Sequence, residues 1–216
     1  PWASVEHAFE PVKKKIFYVA NNGAYVGCCG RSLYVYSIEP EIVHRIIRKV
    51  RRYPDLEVVY AGANGDYIES PNEELFRWLT ESYKFNLTRV DDLLELDEPC
   101  VKVSIYKPEG IEAATKDIYE EFKDELKVAC AGDMWMDCMA KGVNKGKAIE
   151  TIQDSLGIKP EETMAFGDQL NDIEMLGRAY YSFAMANARE EVQKAAKKVC
   201  PSYEEDGVLS ILKTLL

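Results

Sequence analysis

ETMAFGDQLNDIEMLGRAYYSFAMA, residues 162–186, holds the pattern on which the fold turns. ETMAFGD is an apolar run of strand length closed by Gly-Asp, NDIEMLGRA has helical spacing, and YYSFAMA is again a strand. Upstream, NKGKAIETIQDSLG (144–157) reads as a helix; downstream, AREEVQKAAKKV (188–199) reads as another, and a final helix starts near Asp206. Strand-helix alternation of this kind predicts an α/β fold with a parallel sheet covered on both faces. Ligands of such sheets bind beyond the carboxyl ends of the strands, which is where Gly167-Asp168 and AMANA (184–188) fall. Helix starts there offer unpaired N–H groups and a positive dipole end, which suit an anion. Asp168, Asn171 and Asp172 also suit a plainer role, because side-chain oxygens at a helix start accept bonds from those amides.

Outward from this stretch the pattern changes. Trp2, Val5, Phe9 and Val12 recur at helical spacing, IFYVA (16–20) reads as a strand, NNG (21–23) as a turn, and AYVGCCGRSLYVYS (24–37) as a hairpin with glycines near its tip. Val43, Ile46, Ile47 and Val50 mark a helix that ends before Pro54. From about residue 57 come short strands EVVYAG and DYIE, a helix from Asn72 to Tyr83, the strand CVKVSIY, a helix from Glu109 to about Glu125, then KVACAG and WMDCMA. Two helices among several short strands predict a separate α+β module over 57–140, inserted in a core of residues 1–56 and 141–216.

The 216 residues, 47% hydrophobic and 30% charged, suffice for a real core. A formal net charge of −10 argues against nucleic acid or an anionic membrane as partners, since either calls for a basic face. No apolar stretch has the length of a membrane span and no basic-then-apolar leader is visible, so the expectation is a cytoplasmic protein. The six cysteines form no CxxC pair, and His7 and His44 are the two imidazoles, so neither zinc nor histidine chemistry is expected and the thiols should be free. His44 fits the surface or boundary of its helix.

GVNKG (142–146), its spacing to FGDQLND (166–172), the AMANA that follows and NNGAYV (21–26) together resemble the Cof-type branch of the haloacid dehalogenase (HAD) superfamily, C2-capped phosphatases of sugar phosphates and related metabolites. The resemblance covers essentially the whole chain. It implies a Rossmann-like core with residues 57–140 as the cap, and a Mg²⁺-dependent phosphomonoesterase acting through an aspartyl-phosphate on a small phosphorylated metabolite. By the same resemblance Asp168 is a metal ligand, Asp172 orients metal-bound water or Lys145, Asn171 and the NGA loop with Asn22 and Gly23 face the substrate, and Asp137 is an acidic cap position preceding the return to the core.

Those residue types suit the chemistry. Mg²⁺ takes oxygen ligands and keeps several waters, so one carboxylate supplies only part of its shell. Lys145 would offset charge on the phosphoryl oxygens, which phosphoryl-transfer sites require. Taken singly, Lys145 fits a solvated helix residue, Asn144 an N-cap, Asn22-Gly23 a tight turn and Asp137 a solvated edge-strand carboxylate. Trp135 and Met136 fit either the substrate cavity or packing within the cap.

The family's DxDGT strand, whose first Asp attacks phosphorus and whose second moves the proton, and its Ser/Thr motif do not occur in the 216 residues. PWASVEHAF is similar to the family helix that follows that Ser/Thr element. Either a further N-terminal segment carries both motifs, which a start at Pro1 instead of Met favours, or the product is a natural truncation without the attacking group. Two functions follow: a phosphohydrolase completed by that segment, or an inactive HAD-like module binding a phosphorylated metabolite or a protein partner.

Overall fold

The computed structural model describes Val5, residues 7–29 and residues 31–215. The chain divides into two compact units, Pro1–Val143 and Asn144–Leu216.

The first unit opens with a short 3₁₀ turn, Glu10–Val12, around Pro11, whose ring nitrogen cannot donate to a helical ladder. Trp2 of the expected helical stripe lies outside the described residues, while Phe9 and Val12 are exposed. Strands β1 (Phe17–Ala20), β2 (Tyr25–Cys28) and β3 (Arg31–Val35) then form an antiparallel sheet in chain order, with a 3₁₀ turn, Asn21–Gly23, between the first two. The expected hairpin is therefore present.

Helix α1 (Pro40–Val50) starts with Pro at its first position, where the missing N–H costs nothing, and ends with Arg48 and Lys49 in its last turn. Its buried stripe, Val43, Ile46, Ile47 and Val50, shares one apolar cluster with Val58, Tyr60, Val103, Ile105 and Cys138. All five belong to the next sheet. The face of α1 that periodicity marks as apolar is covered by that sheet, whereas the expected boundary at residue 56 groups the helix with the preceding segment.

That sheet has six strands in the order β6-β5-β4-β7-β9-β8, formed by β4 (Glu57–Gly62), β5 (Asp66–Ile68), β6 (Leu87–Arg89), β7 (Cys100–Tyr106), β8 (Leu126–Ala131) and β9 (Trp135–Ala140). Its pairings are antiparallel except β5 with β6. Helix α2 (Glu73–Glu81), capped by the Asn72 side chain, packs Leu75 and Leu79 against Val59 and Ile68. The expected helix from Glu109 is two pieces, α3 (Ile111–Ala114) and α4 (Lys116–Phe122). At the break the buried Thr115 hydroxyl donates back to the Ile111 carbonyl at 2.6 Å, beside the backbone bond from the Thr115 N–H to the same oxygen at 2.9 Å.

In the second unit, β10 (Met164–Gly167), β11 (Tyr181–Met185) and β12 (Lys198–Cys200) are parallel and adjacent in that order. Helices α5 (Lys145–Leu156), α6 (Ile173–Leu176), α7 (Glu190–Ala195) and α8 (Gly207–Lys213) surround them. Ala165 and Ala184 pack on one face with Leu176 and Val192, whereas Phe183 and Met185 pack on the other with Phe166 and Ile211. This is the doubly covered α/β arrangement that the alternation predicts. One expectation fails: AREEVQKAAKKV is a short helix and then a strand. Its last residues pair with β11, and tertiary pairing overrides the helix propensity of the Ala-Lys run.

The packing of α1 generates a test. Ile47→Ala deletes a fully buried side chain and should destabilise the unit that holds the six-stranded sheet by about 2–5 kcal/mol. Hydrogen exchange should then quicken in β4 and β7 while β10 and β11 keep their protection; the reverse pattern would return α1 to the core.

Candidate active site

Asn144 accepts a bond from the Lys147 amide at 2.7 Å and so sets the first turn of α5, with Lys145 as its first residue. A Cβ at Gly146 would stand 2.5 Å from the Glu174 carbonyl oxygen, so glycine is what lets α5 lie directly on α6. From there Lys145 reaches the 3₁₀ turn Leu170–Asp172, and its Nζ donates to Asp172 Oδ1 at 2.5 Å.

Asp172 is 4% exposed, and its second oxygen is also engaged. Oδ2 accepts the backbone N–H groups of Asp168 and Gln169, each at 3.0 Å. The carboxylate sits over Gly167, where a Cβ would come within 2.6 Å of Asp172 Cβ. Burial works to raise its pKa. The Lys145 hydrogen bond, the two amides and the lysine charge outweigh that and hold Asp172 below its ordinary value.

Asp168 follows β10 directly and is half-buried, with Gln169 Nε2 donating to its Oδ2 at 3.2 Å. Asn171 is half-buried inside the same 3₁₀ turn. Lys145, Asp168, Asn171 and Asp172 therefore gather within the second unit at the carboxyl end of β10. Oxygen is the donor chemistry here, which suits a hard cation rather than zinc. Among the described residues no three His, Cys, Asp or Glu side chains are grouped to hold a metal. A cation that keeps most of its waters and takes one protein carboxylate fits that donor set.

The other expected residues belong to the first unit. Asn22 and Gly23 end the 3₁₀ turn between β1 and β2 with φ of 56° and 102°, and Asn22 Nδ2 points at Met139 Sδ, 3.8 Å away. Gly23 thus has the positive φ expected of a tight turn, and Asn22 shares it. Asp137 corrects the edge-strand reading. Strand β9 lies between β7 and β8, and Asp137 accepts Ser104 Oγ at 2.7 Å and Lys102 Nζ at 3.0 Å. Trp135 stacks on Trp78 with ring centroids 6.3 Å apart, and Met136 is fully buried.

Gln169, Lys102 and Ser104 were not among the expected site residues. Period-two alternation does place Lys102 and Ser104 on one face of β7, but only the β7–β9 register sets Ser104 opposite Asp137. Gln169 carries no composition signal, since its part in the cluster is a backbone amide and a bond to its neighbour.

The haloacid dehalogenase-like hydrolase family matches residues 1–212. The 5-amino-6-(5-phospho-D-ribitylamino)uracil phosphatase YbjI of Escherichia coli (strain K12) is 28% identical over 209 residues, which span 96% of this chain and 77% of that protein. A solved structure from Eubacterium rectale superposes with a TM-score of 0.89 at 36% identity, over 96% of this chain and 80% of the other. The HAD subclass IIB sugar phosphatase BT4131 superposes at 0.73 with 25% identity, over 97% and 79%. A family match running from the first residue to within a few of the last, over an α/β fold shared with these structures, makes this chain a haloacid dehalogenase-like hydrolase of the Cof type, a phosphatase.

Proposed function

We propose that this phosphatase is a Mg²⁺-dependent phosphomonoesterase that hydrolyses a sugar phosphate or a similar phosphorylated metabolite through an aspartyl-phosphate. The observation that supports it is the buried Asp172 carboxylate, held by Lys145 and by the amides of Asp168 and Gln169. Such a clamp fixes the backbone on which Asp168 stands and aims the lysine at the end of β10. Both named relatives act on phosphate esters of polyhydroxylated carbon chains, a ribityl chain in one and a sugar in the other. A polyol phosphate is the shared substrate class.

In this reading Asp168 would be the residue that holds Mg²⁺, and the ion when bound would neutralise charge on the phosphoryl oxygens. Lys145 spends one of its three N–H bonds on Asp172 and directs the others at the phosphate. Asn171 supplies a neutral donor toward the substrate, the NGA turn with Asn22 and Gly23 contributes backbone amides to it, and Asp137 with Lys102 belongs to the cap. The 216 residues hold no DxDGT motif, so this reading assigns neither the phosphoryl acceptor nor the proton carrier to a residue named here. The division into a core of residues 1–56 and 141–216 and a cap of 57–140 belongs to the same proposal.

Two experiments test this. Mg²⁺ should raise the thermal midpoint of the full-length protein, and should support its hydrolysis of p-nitrophenyl phosphate. Asp168→Ala should abolish both effects while the far-ultraviolet circular dichroism stays unchanged. Turnover that survives Asp168→Ala would refute the assignment.

Asp172 generates a pH dependence. Its folded-state pKa is depressed, so its contribution is present above the unfolded value, about 3.9, and is lost as pH falls through the folded value. The urea midpoint of wild type should exceed that of Asp172→Asn near neutral pH, with the gap closing only below about pH 4. A gap independent of pH would mean that the carboxylate charge is not what Lys145 and the amides hold.

A further inference from the structure

Cys28 and Cys29 are adjacent in sequence and adjacent in sulfur. Cys28 is the last residue of β2 and Cys29 follows it; their Sγ atoms are 3.3 Å apart, in hydrogen-bond contact. Neighbouring side chains on an extended strand point to opposite faces. Cys29 breaks that alternation. Its φ is +56°, in the left-handed region that residues with a Cβ seldom enter, and the turn brings both sulfurs to one side. Its Sγ also lies 3.5 Å from the Lys14 carbonyl oxygen. Cys29 is exposed and Cys28 half-buried, so a small reagent in solution meets the pair through Cys29.

The other thiols differ. Cys100, Cys138 and Cys200 are buried, and burial pushes the Cys100 and Cys138 thiols up, the latter to about 12, which keeps them protonated and unreactive. Cys130 is exposed near the end of the edge strand β8 and gives a single-thiol reference within the same protein.

We propose that Cys28 and Cys29 form a redox-active vicinal dithiol, which a low-molecular-weight disulfide closes reversibly to a Cys28–Cys29 disulfide. The Cys29 thiolate attacks one sulfur of the reagent, the reagent's S–S bond breaks, and one thiolate leaves and takes up the proton that Cys29 lost. Cys28 then attacks Cys29 Sγ in the mixed disulfide. The Cys28–Cys29 bond forms, the second reagent thiolate leaves, and the proton of Cys28 goes to it. The two cysteines are oxidised by two electrons and one reagent disulfide is reduced to two thiols.

Geometry sets which way the exchange leans. Consecutive Cα atoms across the trans peptide stand about 3.8 Å apart, below the roughly 4.4–6.8 Å of ordinary disulfides. The closed ring is therefore strained, and strained disulfides are the easily reduced ones. The pair is a dithiol at a reducing poise and closes only when small disulfides accumulate.

The test is incubation of the protein with oxidised glutathione over a range of glutathione ratios, followed by acid quenching and mass spectrometry of the peptide that contains both residues. Wild type should lose two hydrogens in that peptide, carry no lasting glutathione there, and regain both thiols with dithiothreitol. Cys28→Ser should instead accumulate a glutathione adduct on Cys29. A stable adduct on Cys29 in wild type would overturn the proposal. So would two free thiols at a ratio that already modifies Cys130, or a crosslink from either residue to a different cysteine.

Discussion

The Asp172 carboxylate is the constraint around which the second unit is arranged. Taking a carboxylate out of water costs on the order of several kcal/mol unless charge and hydrogen bonds replace the lost hydration. Here the replacement comes from Lys145 on α5 and from two consecutive amides at the end of β10. One side chain therefore ties a helix start to a strand end. Both glycines of the site serve the same contact: Gly146 lets α5 approach α6, and Gly167 leaves room for the carboxylate itself. Asp168 is positioned as a consequence, because its own N–H is one of the amides that Asp172 holds.

The first unit is organised by a different force. Its largest apolar cluster runs from α1 through β4, β7 and β9 to α3 and α4, and Ile46, Ile47, Ile105, Ile111, Ile118 and Phe122 within it are all fully buried. Charges line the rim of the same contact, where Arg45 makes a two-pronged bond to Glu125, and Lys49 meets Asp117 and Glu121. Exposed ion pairs of this kind add little, so the cluster beneath them sets the stability.

The opposite face of that sheet carries polar groups in a row. Lys102 and Ser104 on β7 face Asp137 on β9, with the Lys102 and Asp137 side chains mostly shielded from water. Such a pair is held in place because either partner alone would be a poorly solvated charge. Asp66 on β5 shows the cost of weaker compensation: burial pushes its pKa up to about 6 despite the opposing charge of Lys102. Aromatic packing limits the row on one side, where Trp135 lies against Tyr106 and Trp78.

Much of this was legible in the sequence. The alternation after Ala140 determined a parallel sheet because each strand must bury both faces and each helix only one, and β10, β11 and their helices follow it. Lys145, Asp168 and Asp172 were legible as a set through the family resemblance carried by GVNKG and FGDQLND, and Asn144 as a helix cap, whereas the close approach at Gly146 and Gly167 is set by packing. Tertiary structure decided what depends on a partner distant in sequence. The stripe on α1 has the same period whichever sheet covers it, and only packing assigns the helix to the six-stranded sheet. The end of AREEVQKAAKKV has helix propensity, and pairing with β11 makes it a strand. Asp137 could have been an edge residue or an inner one, and the place of β9 between two strands settles it. The two adjacent cysteines read as part of a hairpin; that their sulfurs meet follows from the left-handed turn at Cys29, which residue type alone does not dictate.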